Sequence, residues 1–373
     1  MKIGFDAKRA FLNHSGLGNY SRMLIRSLLD FYPENNYSLF TTRKRKTDFS
    51  EFISSQKNTS VIHPENFIDK QISSRWRSYK ITPLLLENKI DVYHGLSNEL
   101  PFNISKFKGK KIVTIHDLIF LRYPKLYPFF DRKIYDKKFK SACDLSDKIV
   151  AVSQQTKNDI VKFYSVDPEK IKVIYQSCDE VFCRQITVDK IKNVKSKYKL
   201  PQTYLLYVGT IEKRKNLLTI LKALTIVKDI SLVVVGKKKS YFKKVQDFIS
   251  SNDLGKRINF LEDVSNEDLP AIYNSAEIFI YPSLFEGFGI PIIEALTCKT
   301  PVITTQDGCF AEAGGPDSIY IDPMNHEQLA EEIKKILSSP ELRKNIAEKG
   351  YEHSKLFLPQ VIAAEVIALY SKK

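Results

Sequence analysis

Apolar and polar positions alternate in blocks along the whole chain. Short apolar runs of strand length recur at residues 2–5, 37–41, 91–94, 111–115, 148–152 and 172–175. Longer stretches with apolar residues three and four apart, such as 20–31 and 155–163, lie between them and predict helices. The second half repeats the theme, with strand-like runs at 204–208, 231–235, 258–260, 276–281, 301–304 and 318–321. Strand alternating with helix predicts parallel sheets covered by helices on both faces. Six strands per half predict two doubly wound domains rather than one large sheet. The polar, Lys-rich, weakly periodic segment 183–200 places the junction, giving a first domain over 1–184 and a second over 185–355. Residues 356–370 then read as an amphipathic helix. In open parallel sheets ligands sit beyond the carboxyl ends of the strands, so the loops that follow strands are where chemistry belongs. Two such domains facing each other would enclose a cleft.

Composition narrows this picture without changing it. The 373 residues are 43% hydrophobic and 27% charged, as in a globular protein. No uninterrupted apolar run approaches the roughly 18 residues of a membrane helix. The opening MKIGFDAKRA is charged where a signal peptide is apolar, so no export signal is expected. Five scattered cysteines, at 143, 178, 183, 298 and 309, have no zinc-ligand spacing and predict reduced thiols in the cytoplasm. The net charge is +15, and residues 1–184 carry +12 of it. That field favours anionic partners: phosphates, acidic lipids, acidic glycans or nucleic acid.

Five segments carry candidate chemistry. The segment 283–294, SLFEGFGIPIIE, sets Glu286 and Glu294 eight residues apart around a Gly-Phe-Gly turn and Pro291. An apolar run leads in and a helical pattern leads out. A helix N-terminus there favours anions, Gly287 and Gly289 let backbone approach a ligand, and Pro291 suits the first helical turn. Paired carboxylates also serve acid/base hydrolysis, and two solvated glutamates would give the same letters. In NHSGLGNY, Gly16 and Gly18 precede a helix. They suit a phosphate cradle or a plain turn, without the dinucleotide fingerprint. In VTIHDL, His116 and Asp117 end a strand, where His suits a sugar hydroxyl, a phosphate or a local bond to Asp117. The neighbouring loop 93–101 supplies His94, Ser97, Asn98 and Glu99 for polyol recognition or simple solvation. In YVGTIEKRKNL, Arg214 and Lys215 stand at a predicted helix start. There they oppose the helix dipole unless an anion joins them. Residues 122–140 interleave aromatic and basic side chains, as a membrane or acceptor surface does, or as a helix with its rings in the core.

Order and position after strands make the set far more specific than its parts. The chain resembles, over essentially its whole length, the retaining, nucleotide-sugar-dependent glycosyltransferases of the GT-B fold, in the mannosyltransferase-like group called family 4. FDAKRAFLNHSGLGNYSRML, TIHDLIFLRYP, AVSQQTKNDI, GTIEKRKNL and FEGFGIPIIEAL carry the resemblance. It implies an α/β fold of two Rossmann-like domains, with the terminal 356–373 helix crossing back to the first. It also implies roles residue by residue. The Gly16 amide, with Gly18, faces the donor diphosphate. His116 touches the transferred sugar. Arg214 and Lys215 bind the diphosphate. Glu286 holds the sugar hydroxyls near the amides of Gly287, Phe288, Gly289 and Ile290. Glu294 accepts from the ribose, and Val264 lies near the base. Thr210 stands where many members carry Arg, which leaves diphosphate neutralisation to Arg214 and Lys215. No metal and no cofactor beyond the nucleotide-sugar co-substrate are implied.

The expected reaction is transfer of a hexose, with retention, onto a glycan or a polyprenyl-diphosphate-linked oligosaccharide during polysaccharide assembly. It would run in the cytoplasm or against the anionic inner membrane face. The GT-x-x-x-RKN pattern leans towards GDP-mannose, with UDP-sugars as the alternative. A nucleotide-sugar epimerase of related fold is the nearest rival. A nucleic-acid-binding protein is the more distant one, and no reading module supports it, so no nucleic acid is expected.

Overall fold

The computed structural model describes residues 1–13 and 16–371; His14 and Ser15 of the predicted glycine loop, and Lys372 and Lys373 of the predicted last helix, lie outside the described residues. The chain folds into two compact units. Met1–Ser177 with Pro359–Lys373 make the first, and Cys178–Leu358 the second. The chain thus changes unit at Ser177–Cys178, a few residues before the polar segment that the sequence marks.

The first unit is built on a seven-stranded sheet, all of its strand pairs parallel. Its strands are β1 (Lys2–Asp6), β2 (Asn36–Phe40), β3 (Thr59–Ile62), β4 (Val92–Gly95), β5 (Lys110–Ile115), β6 (Lys148–Ala151) and β7 (Ile171–Val173). Their order is β3-β2-β1-β4-β5-β6-β7. The second unit has β8 (Tyr204–Val208), β9 (Ser231–Val235), β10 (Ile258–Leu261), β11 (Ile278–Tyr281), β12 (Val302–Thr305) and β13 (Ile319–Ile321). These run in the order β10-β9-β8-β11-β12-β13, again all parallel. The first sheet therefore has one strand more than the pattern predicts. The extra strand, β3, reads TSVI and is a half-buried edge strand, so it lacks the apolar run of the central strands.

Each sheet reverses its winding once, between β1 and β4 and between β8 and β11. The loops leaving neighbouring strands diverge there to opposite faces and open a crevice beyond the carboxyl ends. Four of the five candidate segments begin or lie beside those loops.

In the first unit the helix Gly16–Phe31 buries Tyr20, Met23, Leu24, Ser27 and Leu28, an i, i+3, i+4 face. The last helix, Pro359–Ser371, lays Ile362, Ala363, Val366, Leu369 and Tyr370 into the same core. Its Tyr370 hydroxyl bonds His94 Nδ1 at 2.6 Å. The stretch Pro340–Ser371 meets the length and mean hydropathy of a membrane span, although no uninterrupted apolar run of that length occurs in it. It is broken by a 3₁₀ turn at Lys355–Phe357 and by Pro359, and its last helix is spent in this core.

Residues 129–145 form a helix, and of its rings only Phe139 reaches the core. Only Phe139, Ala142 and Cys143 are buried, while Phe129, Phe130, Ile134 and Tyr135 are exposed. The core alternative read from the sequence thus holds at Phe139 and is corrected at Phe129, Phe130 and Tyr135.

Candidate functional site

At the reversal point of the second sheet, β8 runs into Gly209 and then a 3₁₀ turn, Lys213–Lys215. The turn closes on Asn216, which adopts a left-handed backbone (φ 56°) and starts the helix Leu217–Ile226. Asn216 Nδ2 donates to the carbonyls of Pro282, at 3.2 Å, and Pro323, at 2.7 Å. Leu284 N–H donates to the Arg214 carbonyl at 2.9 Å. These bonds stitch the loop after β8 to the loop after β11. Arg214 and Lys215 therefore sit on a separate turn before the helix, not in its first turn as the sequence pattern predicts.

Glu286 projects from the β11 loop between them. Its Oε1 lies 2.7 Å from Arg214 Nη1 and 2.9 Å from Lys215 Nζ, and it accepts from the Tyr281 hydroxyl at 3.0 Å. Lys215 Nζ also donates to the Tyr281 hydroxyl and stands over its ring, 4.9 Å from the centroid. Arg214 donates to the Phe285 carbonyl and pairs with Glu212 at 2.8 Å; Glu212 in turn holds Lys239 at 3.0 Å. Burial alone would raise the Glu286 carboxyl, but Lys215 and Arg214 outweigh it and hold the group at about 2. The cost that the sequence leaves to an absent anion is thus met inside the chain by Glu286 and Glu212.

The loop is held from behind by short side chains of the next strand. Thr304 and Thr305 hydroxyls donate to the carbonyls of Tyr281 and Ser283, at 2.8 and 2.7 Å. The Cys309 thiol lies 2.9 Å from the Phe288 carbonyl and 3.3 Å from that of Glu286. Phe288 is buried edge-on to Phe357 at 5.5 Å. Gly289 takes φ 122°, a conformation only glycine adopts without strain, and caps the helix Ile290–Thr297. Glu294 lies on that helix and accepts from the Tyr273 hydroxyl at 2.8 Å. Burial pushes its carboxyl up to about 7, the hydroxyl bond and Lys215 opposing. One motif therefore holds a firmly ionised carboxylate and one poised near neutrality, set apart by environment. Gly287 and Ile290 flank this turn. Thr210 follows Gly209 and accepts from the Tyr207 hydroxyl through its carbonyl at 3.3 Å. Val264 stands apart, in the loop after the edge strand β10.

In the first unit, Gly16 opens the helix 16–31 with open space where a Cβ would stand. A Cβ on Gly18 would lie 1.9 Å from the Asn13 carbonyl oxygen, so this turn needs glycine there. His116 is buried at the end of β5, edge-on to Tyr20 at 4.7 Å. Its Nε2 bonds the Leu96 carbonyl at 2.9 Å, which only accepts, so Nε2 carries the proton. Its Nδ1 accepts from the Gln176 amide at 2.9 Å. The expectation of a ring N–H offered to a sugar thus meets a ring already bonded at both nitrogens. Burial holds it neutral, down to about 4, with Arg9 contributing.

Sequence reasoning missed several residues here. Tyr281 and Tyr273 hide inside apolar runs, and Gln176 has no motif. Asp6 and Arg77 were also missed; with Glu99, which the sequence offered for polyol recognition or solvation, they form a buried ion network that no local pattern announces. Arg77 Nε donates to Asp6 at 2.8 Å, and Nη1 to Glu99 at 2.6 Å. Among the described residues no three His, Cys, Asp or Glu side chains gather as a metal site.

Two family profiles match the chain: Glycosyltransferase Family 4 over residues 15–180, and Glycosyl transferases group 1 over 189–353. The O-antigen chain mannosyltransferase B of Escherichia coli is 25% identical over 77% of this chain and 75% of its own. The O-antigen chain mannosyltransferase RfbU of Salmonella typhimurium is 31% identical over 61% of each chain. The serotype-specific mannosyltransferase WbdA of Escherichia coli is 24% identical over 88% of this chain but 42% of its own. The chain thus spans less than two thirds of the last two relatives. A glycosyltransferase from Rickettsia africae superposes with a TM-score of 0.78 at 20% identity, covering 99% of this chain and 97% of that one. HepE of Anabaena, solved with UDP and glucose, does so at 0.78 and 15%, covering 100% and 99%. At those identities the structures speak for the fold alone. With both profiles in chain order on two doubly wound units, the chain belongs to the GT-B glycosyltransferases and is a glycosyltransferase enzyme.

Proposed function

We propose that this enzyme transfers a hexose, mannose from GDP-mannose, to a glycan or polyprenyl-diphosphate-linked oligosaccharide, with retention, in cell-surface polysaccharide assembly. The cluster of Arg214, Lys215, Glu286 and Tyr281 at the reversal point of the second sheet carries the reading. Two cations on a rigid turn suit a departing nucleoside diphosphate, whose charge grows as the glycosidic bond breaks. Arg forks onto phosphate oxygens, and Lys adds a point charge beside it. Glu286 then serves the sugar hydroxyls and Glu294 the ribose. The Gly16 amide and His116 are assigned to the diphosphate and to the transferred sugar. The acceptor oxygen attacks C1 from the face that the nucleotide leaves, and its proton passes to the departing phosphate. The needed positive charge comes from side chains, so the reading calls for no metal.

The mannosyltransferase relatives, by what they transfer and build, support the sugar and the pathway class, and HepE with its bound UDP and glucose supports a nucleotide-sugar donor. Peripheral contact with an anionic membrane, at its cytoplasmic face, is supported by the first unit's surface. Phe67, Ile68, Phe129 and Phe130 are exposed, and Arg132 and Lys133 flank the Phe129 ring. Tyr79 and Lys137 both pack on Phe102, adding a further aromatic and basic pair to that surface.

A thermal-shift panel of nucleoside diphosphates and nucleotide sugars tests the donor. Stabilisation follows RT ln(1 + [L]/Kd), so GDP and GDP-mannose should raise the melting temperature most. No shift with any nucleotide overturns the reading, and a larger shift with UDP-sugars corrects the donor.

A further inference from the structure

Beyond the carboxyl end of β1, two cations stand without a counter-ion among the described residues. Lys8 and Arg9 open the short helix Lys8–Leu12, both partly buried. The carboxylates that could serve them are taken. Asp6 Oδ2 accepts from Arg77 Nε at 2.8 Å and also from Nη2. Among the described residues Asp6 Oδ1 receives only the Lys8 backbone N–H, at 3.3 Å. Glu99 Oε2 is held by Arg77 at 2.6 Å and Lys138 at 3.1 Å. Four cations thus share two carboxylates, and an excess of two positive charges sits at the reversal point of the first sheet. Among the described residues neither Lys8 nor Arg9 has an ion-pair or side-chain hydrogen-bond partner, and Arg9 Nε is buried without one. Burial, then Arg77 and Arg9, press the Lys8 ammonium below its usual range. In the loop after β4, the strand paired with β1, Asn98 is only 7% exposed and holds a left-handed backbone (φ 62°), a strain that recurs at ligand sites. Its Oδ1 accepts the His116 N–H at 2.7 Å. Its Nδ2 has no partner among the described residues.

We propose that Lys8 and Arg9, with the Asn98 amide, bind a phosphate carried by the acceptor. The acceptor class is then a glycosyl phosphate or diphosphate, not a neutral glycan end. The anion supplies what Asp6 and Glu99 do not, and the Arg77 network fixes the carboxylates so that they cannot turn to it. The inference rests on the transferase reading, and it assigns these cations to the acceptor and not to the donor.

The test fills the donor site first, with the nucleoside diphosphate that stabilises the chain most, and then titrates a hexose 1-phosphate. A second stabilisation is expected, absent with the free hexose. In Lys8→Gln/Arg9→Gln the apparent Kd for hexose 1-phosphate should rise tenfold or more, while nucleotide affinity stays unchanged. Lys8→Gln alone, a partly exposed change, should raise it severalfold, and Arg9→Lys should keep most of the affinity. Equal binding of free hexose, no second shift, or an equal shift in the double variant overturns the proposal. A fall in nucleotide affinity also overturns it, by giving the cations to the donor. Phosphatidylglycerol vesicles that replace hexose 1-phosphate fully would assign the charge to lipid headgroups and overturn it too. If no nucleotide shifts the melt at all, it is the transferase reading that fails.

Discussion

Replacing Glu286 with Gln deletes one charge and keeps the side chain's shape. Arg214 Nη1 and Lys215 Nζ both touch Oε1, so they lie at most 2.7 plus 2.9 Å apart. At an effective dielectric of about 20, like charges at that separation repel by roughly 3 kcal/mol. The carboxyl gives the same size from the other end. It is held at about 2, against burial, from an ordinary 4.5. At roughly 1.4 kcal/mol per pKa unit that is about 3 kcal/mol. The repulsion stands in both proteins, and what the variant loses is the second figure, the attraction of the carboxylate to the pair that offsets it. Because the folded pKa is depressed, the stabilisation is fully present above pH 4.5 and is lost as pH falls towards 2. At neutral pH Glu286→Gln should therefore melt roughly 6–12 °C lower, at about 2–4 °C per kcal/mol for a domain of this size. The gap should narrow below about pH 4. Differential scanning fluorimetry at neutral pH and in acid reads both. Added nucleoside diphosphate should rescue the variant more than the wild type, because phosphate replaces the missing anion. A melt unchanged within about 2 °C, or a gap as wide in acid as at neutrality, refutes the reasoning.

Lys215→Ala and Arg214→Ala should each cut initial transfer rates by about tenfold or more, at least roughly 1.4 kcal/mol of transition-state stabilisation. Near-normal rates in both would remove them from the site. Glu294, pushed up to about 7 by burial, holds its proton in the folded state between pH 4.5 and 7 when the unfolded chain has lost it. Stability should fall as pH rises through that window, and Glu294→Gln should flatten the slope in urea titrations. Gly18→Ala forces a Cβ to within 1.9 Å of the Asn13 carbonyl oxygen, whereas Gly16→Ala meets open space. Melting curves should drop for the first and hardly move for the second; equal curves would contradict the stated packing.

The sequence made the central strands legible because strands buried on both faces leave continuous apolar runs, as in β8 and β9. The edge strand β3 has no such run, and it escaped. The 129–135 rings read as core because periodicity reports which residues share a helix face, not whether anything covers that face. The basic turn and the glutamate motif were visible as letters, but their pairing was not. Arg214 and Glu286 lie far apart in the chain and meet only because β11 lies beside β8. The Asp6–Arg77 pair is equally distant in sequence and had no local signal at all. Nor do the letters distinguish Glu286 from Glu294. One faces two cations and the other a tyrosine hydroxyl, and those partners come from other elements.

That pairing also bears on selectivity. Arg214 and Lys215 are already matched by Glu286 and Glu212, so a diphosphate does not enter a bare positive site. To take the cations it must loosen Glu286, and a partly buried carboxylate left without donors costs about 1–3 kcal/mol or more. A nucleotide sugar can supply donors to Glu286 in its hexose hydroxyls; a nucleoside diphosphate has only its ribose hydroxyls, which are assigned to Glu294. The cluster should therefore bind the sugar-bearing nucleotide more tightly than the bare diphosphate, by what Glu286 recovers. Glu286→Gln removes both the competition and the recovery. In titration calorimetry it should tighten the bare diphosphate and erase the preference for the sugar. A variant that keeps the wild-type preference would mean that Glu286 serves only to hold the turn.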